Sequence, residues 1–179
     1  AYHEALKIVD FNDIESLEDL KNKESFLKEK LSDGFFERLD LMLLFKNIMV
    51  IKSVTKDLKL VKEREFIMQS TPSELEELCL LNINIAEEKA QSEEIGIEQN
   101  SCEENQLIVQ GIVDLFAMGE KLVLIDYKYS SERNERALIE RYQNQIKLYS
   151  LALEKAFGRA VDEKYLLSLK EGKLIKIDL

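Results

Sequence analysis

The stretch GIVDLFAMGEKLVLIDYK, residues 111–128, is apolar at nearly every other position, the period of a strand packed against a core. Three charges interrupt it: Asp114, Asp126 and Lys128. A carboxylate taken out of water without a partner is costly, so chains rarely place one there idly. Two strands joined at residues 118–120 account for the apolar positions. Asp126 and Lys128, two apart, leave the same face. Asp114 joins them only if the turn is odd. A three-residue loop at 118–120, with Gly119 left-handed, pairs Ala117 with Lys121 and sets Asp114 opposite Leu124 and Asp126 opposite Ile112. A two-residue loop sends Asp114 to the other side. Two carboxylates converging among apolar residues repel unless a cation lies between them. Oxygen-rich ligation suits Mg²⁺, and Mn²⁺ accepts the same donors. A lysine beside such an ion can hold or activate water that attacks phosphorus, or offset charge in the transition state. A structural Asp–Lys ion pair at a strand end is the plainer account of the triplet.

Outward from this hairpin the pattern is that of an α/β domain. AYHEALKIVDF (1–11) reads as a helix already under way, which leads us to expect a longer parent polypeptide. Ser16 and Asp19 form a capping box ahead of Leu20, Leu27 and Leu31 at helical spacings, and Gly34 breaks the run. FFERLDLMLLFKNIMVI (35–51) is apolar almost all round, as in a buried helix. Residues 57–69 read as a strand, and Thr71-Pro72-Ser73-Glu74 opens a short helix. Residues 86–105 are acidic and without period, which predicts a loose surface loop. After strands at 106–117 and 121–129, a helix spans 132–157 and stops at Gly158, and a last hairpin turns at Glu171-Gly172. The expected fold is one domain over 1–179, a mixed, twisted sheet centred on the 106–129 hairpin and flanked by helices, with a helical N-terminal part.

Composition narrows the function classes. The 179 residues carry 45% apolar side chains with one proline and six glycines, a globular balance. No apolar run is long enough for a membrane span and no signal peptide opens the chain, so no membrane partner is expected. Cys79 and Cys102 lack the spacing of a zinc or iron–sulfur site, and the cytoplasm is the expected compartment. No GxxxxGK[ST] phosphate loop is present. Spread evenly, a net charge of −10 would speak against nucleic acid, but ten glutamates against one lysine fall between Glu74 and Glu104. From Lys121 to Arg159, eight basic side chains outnumber five acidic ones. The acidity is local.

An Asp on one strand, eleven residues, then Asp-x-Lys on the next resembles the PD-(D/E)xK nuclease superfamily. QGIVDLF…LIDYK is similar to the RecB/AddA nuclease motif, and the following helix adds RYQNQIKLY, with Gln145 and Tyr149 in the Q-x-x-x-Y signature. EREFIMQ and EKYLLSL resemble further family strands. AYHEALKIVDF resembles the helix that opens the nuclease domain, with His3 in the place of a metal-ligating histidine; taken alone, a single His is more often a surface residue. The resemblance implies a restriction-endonuclease-like core and metal-dependent hydrolysis of DNA, with exonuclease activity, leaving a 3′-hydroxyl and a 5′-phosphate. It implies His3, Asp114, Asp126 and the Tyr127 carbonyl around Mg²⁺, Lys128 on the attacking water, and Gln145 and Tyr149 supporting the site. It implies a place in double-strand-break repair, on single strands from unwound duplex, beside helicase domains of a parent chain and an AddB-like second subunit. The cysteine count argues against the iron–sulfur cluster of AddB-type relatives. Where relatives read Asp-Tyr-Lys-Thr-Asp, this chain has Tyr129-Ser130 after Lys128, a change that bears on DNA contacts more than on the metal. Glu65 is a weaker candidate to reach the metal, a strand-edge ion pair being the plainer account, and Arg133, Arg136, Arg141 and Lys147 are candidates for phosphate contact, a solvated role being the plainer account for most of them. The alternative is a non-catalytic module of the same fold that holds DNA or docks a partner protein.

Overall fold

The computed structural model describes residues 1–32, 34–77, 95–99 and 106–178. Four helices precede the first strand: α1 (Tyr2–Ile8), α2 (Leu17–Asn22), α3 (Glu24–Lys30) and α4 (Leu41–Thr55). The Ser16–Asp19 capping box opens α2 as expected. α4 begins later than the apolar run suggests. Asp40 accepts from the Met42 and Leu43 amides, so the cap fixes the start there, and Phe36–Arg38 is a separate 3-10 turn. Then follow β1 (Lys59–Ser70), α5 (Pro72–Glu77), β2 (Ile95–Gln99), β3 (Leu107–Met118), β4 (Leu122–Lys128), α6 (Glu135–Phe157), β5 (Glu163–Ser168) and β6 (Lys173–Lys176). Asn134 caps α6, and Gly158 closes it at φ 65°.

The strands form one mixed sheet in the order β1-β3-β4-β5-β6, with β2 also paired to β3. Every pairing is antiparallel except β4 with β5, which α6 joins as a crossover. Leu115, Ala117, Val123, Ile125 and Tyr127 pack one face against α1–α4. Val113, Phe116, Leu122, Leu124 and Leu166 pack the other against α6. The fold is therefore α/β, a sheet between two helical layers, in keeping with a restriction-endonuclease-like core. No helix among the described residues is long and apolar enough to cross a membrane.

Two expectations are corrected. Ile95–Gln99, inside the stretch read as a loop, is a strand, because the edge of β3 from Leu107 to Gly111 needs a hydrogen-bonding partner and β2 supplies it. The rest of residues 86–105 lies outside the described residues. The central hairpin does have a three-residue loop, but at 119–121. Met118 pairs with Leu122 and Ala117 with Val123 in place of Lys121, a shift of two residues in register. Gly119 is not left-handed. An added Cβ at Gly119 would lie 2.8 Å from Leu58 Cδ2, so the end of that leucine would have to move aside.

Candidate metal centre

The site begins as a gap in a strand edge. β1 covers one edge of β3 along its whole length, Lys59 on Met118 to Ser70 on Leu107. The opposite edge is shared: β2 takes Leu107 to Gly111 and β4 takes Leu115 to Met118. Residues 112–114 fall between them. Asp114 occupies that opening, and its Oδ2 accepts from the Tyr127 backbone N–H at 2.6 Å, where the ladder to β4 has already ended.

Side-chain alternation also breaks here, on two strands at once. Val113 and Phe116 both face α6, so the two residues between them, Asp114 and Leu115, both turn toward α1. On β1, Val61 and Phe66 face α6, whereas Lys62 and Glu63 both reach α1. Register is kept on either side, Lys62 with Leu115 and Arg64 with Val113. The local cause is Glu63, at φ 49°, a left-handed conformation rarely adopted by a non-glycine residue. The paired kink turns Glu63 and Asp114 together toward His3.

His3 Nε2 lies 2.9 Å from Asp114 Oδ1 and 3.3 Å from Glu63 Oε1. One ligand atom from each of His3, Glu63 and Asp114 falls within 4.8 Å of the others. Glu63 Oε1 is buried without a hydrogen bond, and burial, against the pull of His3, pushes the Glu63 carboxyl up. The Tyr127 phenol is buried at the same place; desolvation and then Asp114, Glu63 and Asp126 drive its pKa well above the usual tyrosine value. Three carboxylates thus act on one ring, a concentration of negative charge that a divalent cation would relieve. One imidazole and carboxylate oxygens fit Mg²⁺ or Mn²⁺, with the nitrogen favouring Mn²⁺.

β4 alternates without interruption, so Asp126 and Lys128 leave the α6 face. Asp126 is 0% exposed, and Lys128 Nζ stands 3.1 Å from its Oδ2 and 4.9 Å from the Tyr142 ring centre. On α6, Gln145 Nε2 donates to the Tyr149 hydroxyl at 2.8 Å, and Tyr149 is fully buried with Phe66 edge-on to it. The expectation that all three hairpin charges share one face is therefore corrected. The kink turns Asp114 to α1, and Asp126 and Lys128 are not in the cluster with His3 and Glu63. The two halves meet at the 126–127 peptide, which follows Asp126 and whose N–H holds Asp114.

Glu65 is exposed and outside the cluster; Glu63, two residues earlier, takes that place. Strand alternation alone does not find Glu63, and the only sequence signal is the charged KERE run interrupting an apolar strand. Arg133 and Arg136 are solvent-exposed, Arg136 paired with Glu140, and Arg141 lies against Tyr142. Lys147 is half-buried on α6.

Residues 15–176 match the model of the PD-(D/E)XK nuclease superfamily. Among curated proteins, the A-subunit of the ATP-dependent helicase/nuclease of Lachnoclostridium phytofermentans is 28% identical over 98% of this chain and 14% of its own length. The protein of the same name in Clostridium novyi is 27% identical over 72% of this chain and 12% of its own length. That of Thermoanaerobacter sp. strain X514 is 44% identical over 49% and 8%. The chain therefore spans a small part of these relatives.

Proposed function

The chain belongs to the PD-(D/E)XK nuclease superfamily, and on that premise we propose that it hydrolyses DNA phosphodiester bonds with Mg²⁺ or Mn²⁺. The observation that carries this is the convergence of His3, Glu63 and Asp114 within 4.8 Å, beside the Asp126–Lys128 pair at the parting of β3 and β4. His3, Glu63 and Asp114 would hold the ion; Asp126, outside that cluster, and the carbonyl of Tyr127 are the further ligands we propose. The ion would supply charge neutralisation at the phosphate and lower the pKa of water.

This chain's own residues supply the rest. Asp126 anchors the Lys128 ammonium at 3.1 Å. Lys128 then orients the attacking water and offsets charge on the phosphate oxygens. The Tyr127 N–H fixes the rotamer of Asp114, as an outer hydrogen bond does for many metal ligands. Gln145 and Tyr149 brace the α6 side. Because the relatives are named as A-subunits of a helicase/nuclease, the same reading extends to an exonuclease module attached to helicase domains, working with a second protein chain in double-strand-break repair.

The test is cleavage of a labelled single-stranded oligonucleotide in Mg²⁺ and in Mn²⁺. Asp114→Ala and Asp126→Ala should abolish cutting, and Lys128→Ala should slow it by about 10²–10³-fold, the usual range for loss of one donor that stabilises developing charge. Equal cutting by wild type and Asp126→Ala would refute the reading.

A further inference from the structure

Next to Lys128 the chain exposes an aromatic ring. Tyr129 is 62% exposed, one of the few large hydrophobic side chains in solvent. It is not adrift. Its ring stacks on Tyr2 at 5.9 Å and 19°, and Tyr2 is buried, its hydroxyl accepting from the Asp40 N–H at 3.0 Å. The stack thus ties the residue before His3 to the residue after Lys128, one from each half of the metal centre. Lys170 Nζ lies over the Tyr129 ring, 4.8 Å from its centre, and is held by Ser131 Oγ at 2.6 Å, so a base that stacks on the ring moves this ammonium aside toward its own phosphate. Ser131, Arg133 and Lys170, together with Glu132 and Glu171, line an open cavity of about 300 Å³ beside it, and Arg133, 90% exposed, stands 4.0 Å from Glu171.

We propose that Tyr129 and Lys170 form a nucleotide subsite of the DNA site, in which the base flanking the cleaved phosphate stacks on Tyr129 and the next phosphate pairs with Lys170. The subsite rests on the DNA-cleaving reading above. An aromatic face backed by a second, anchored ring loses little conformational freedom when a base settles on it, and stacking accepts any base because every base has a π-face. A duplex cannot use it, since both faces of each paired base are already covered by neighbours. The cations beside the ring match the backbone that must accompany the base. The ring therefore favours an unpaired strand and places it next to Lys128.

The experiment measures fluorescence anisotropy of a labelled, cleavage-resistant phosphorothioate oligothymidylate in Mg²⁺. Tyr129→Ala should weaken binding roughly 5- to 100-fold, the range for losing one stacked base, and Tyr129→Phe should keep it tight. Lys170→Ala should lower the slope of log K against log salt by about 0.7, one single-strand phosphate contact. The chain has no tryptophan, so Tyr129→Trp installs a single reporter whose emission should be quenched on titration with the oligonucleotide. Removing the bases should erase the difference between wild type and Tyr129→Ala. Wild type that binds while Tyr129→Ala binds equally well, or unquenched tryptophan emission from Tyr129→Trp in a bound complex, overturns the subsite and leaves the nuclease reading standing. No binding by the wild type overturns both.

Discussion

Glu63 is the residue on which the centre turns. A left-handed non-glycine residue inside a twelve-residue strand costs roughly 1–2 kcal/mol and persists only where its surroundings fix it. Here the same residue carries a half-buried carboxylate facing Asp114 and His3, so strain and charge repulsion are both concentrated at one position. Two substitutions separate them. Glu63→Gln removes the charge and keeps the backbone cost, whereas Glu63→Asn also suits the left-handed region. In chelator, Glu63→Asn should melt above Glu63→Gln by about 2–4 °C, the equivalent of about 1 kcal/mol for a chain of this size. Both should bind Mn²⁺ more weakly than wild type in calorimetric titration. Identical melting of the two variants would show that the backbone at residue 63 stores nothing. Asp114, Asp126 and Lys128 stood out in the sequence because charge inside an apolar strand is conspicuous. Glu63 did not, because a φ reversal leaves no mark on residue type.

The central hairpin shows what is legible at the scale of elements. Its loop length was readable from the Met-Gly-Glu break, but the register depends on contacts far away in the chain. Arg159 donates to the Gly119 and Glu120 carbonyls, and Asp162 Oδ2 accepts from the Leu122 N–H at 2.6 Å and from Arg159 at 2.8 Å. Residues that follow α6 therefore decide which three residues form the turn, and no local signal reports that. Caps are local, which is why the Ser16–Asp19 box and Gly158 were readable and β2, held by the edge of β3, was not. The same network sets a pH dependence. The Leu122 N–H, and after it Arg159, hold the Asp162 carboxyl below its ordinary value. A depressed folded pKa means that the unfolded chain takes up the proton first. The stabilisation is complete above the unfolded pKa, near 3.9, and is lost as pH falls through the lower folded value. Melting curves from pH 6 to 3 should therefore fall less steeply for Asp162→Asn than for wild type. Parallel curves would mean that the turn is indifferent to this carboxylate.

Across the whole molecule, the clustered groups come from residues 3, 63 and 114, so the centre ties α1 to two strands of the sheet, β1 and β3. The helical layer over that face is joined to the sheet at this point by polar contacts between carboxylates and one imidazole, not by apolar packing alone. Without a cation, the like charges of Glu63 and Asp114 repel each other between β1 and β3, and His3 and Lys7 of α1 offset them. With one, the same groups attract a common centre, and because the unfolded chain has no preformed site, binding energy becomes folding energy. At a cation concentration 100 times Kd the gain is about 2.7 kcal/mol, which corresponds to a rise of roughly 5–10 °C in Tm for a chain of this length. Scanning calorimetry in Mn²⁺ should show that rise, EDTA should reverse it, and Asp114→Asn should show none. Hydrogen exchange locates the effect: amides of α1 and of β1 around Glu63 should gain protection with Mn²⁺, while those of β5 and β6, remote from the ligands, should change little. Protection spread evenly over the sheet would mean that the cation stabilises the fold from some other place, and the centre built on His3, Glu63 and Asp114 would have to be abandoned.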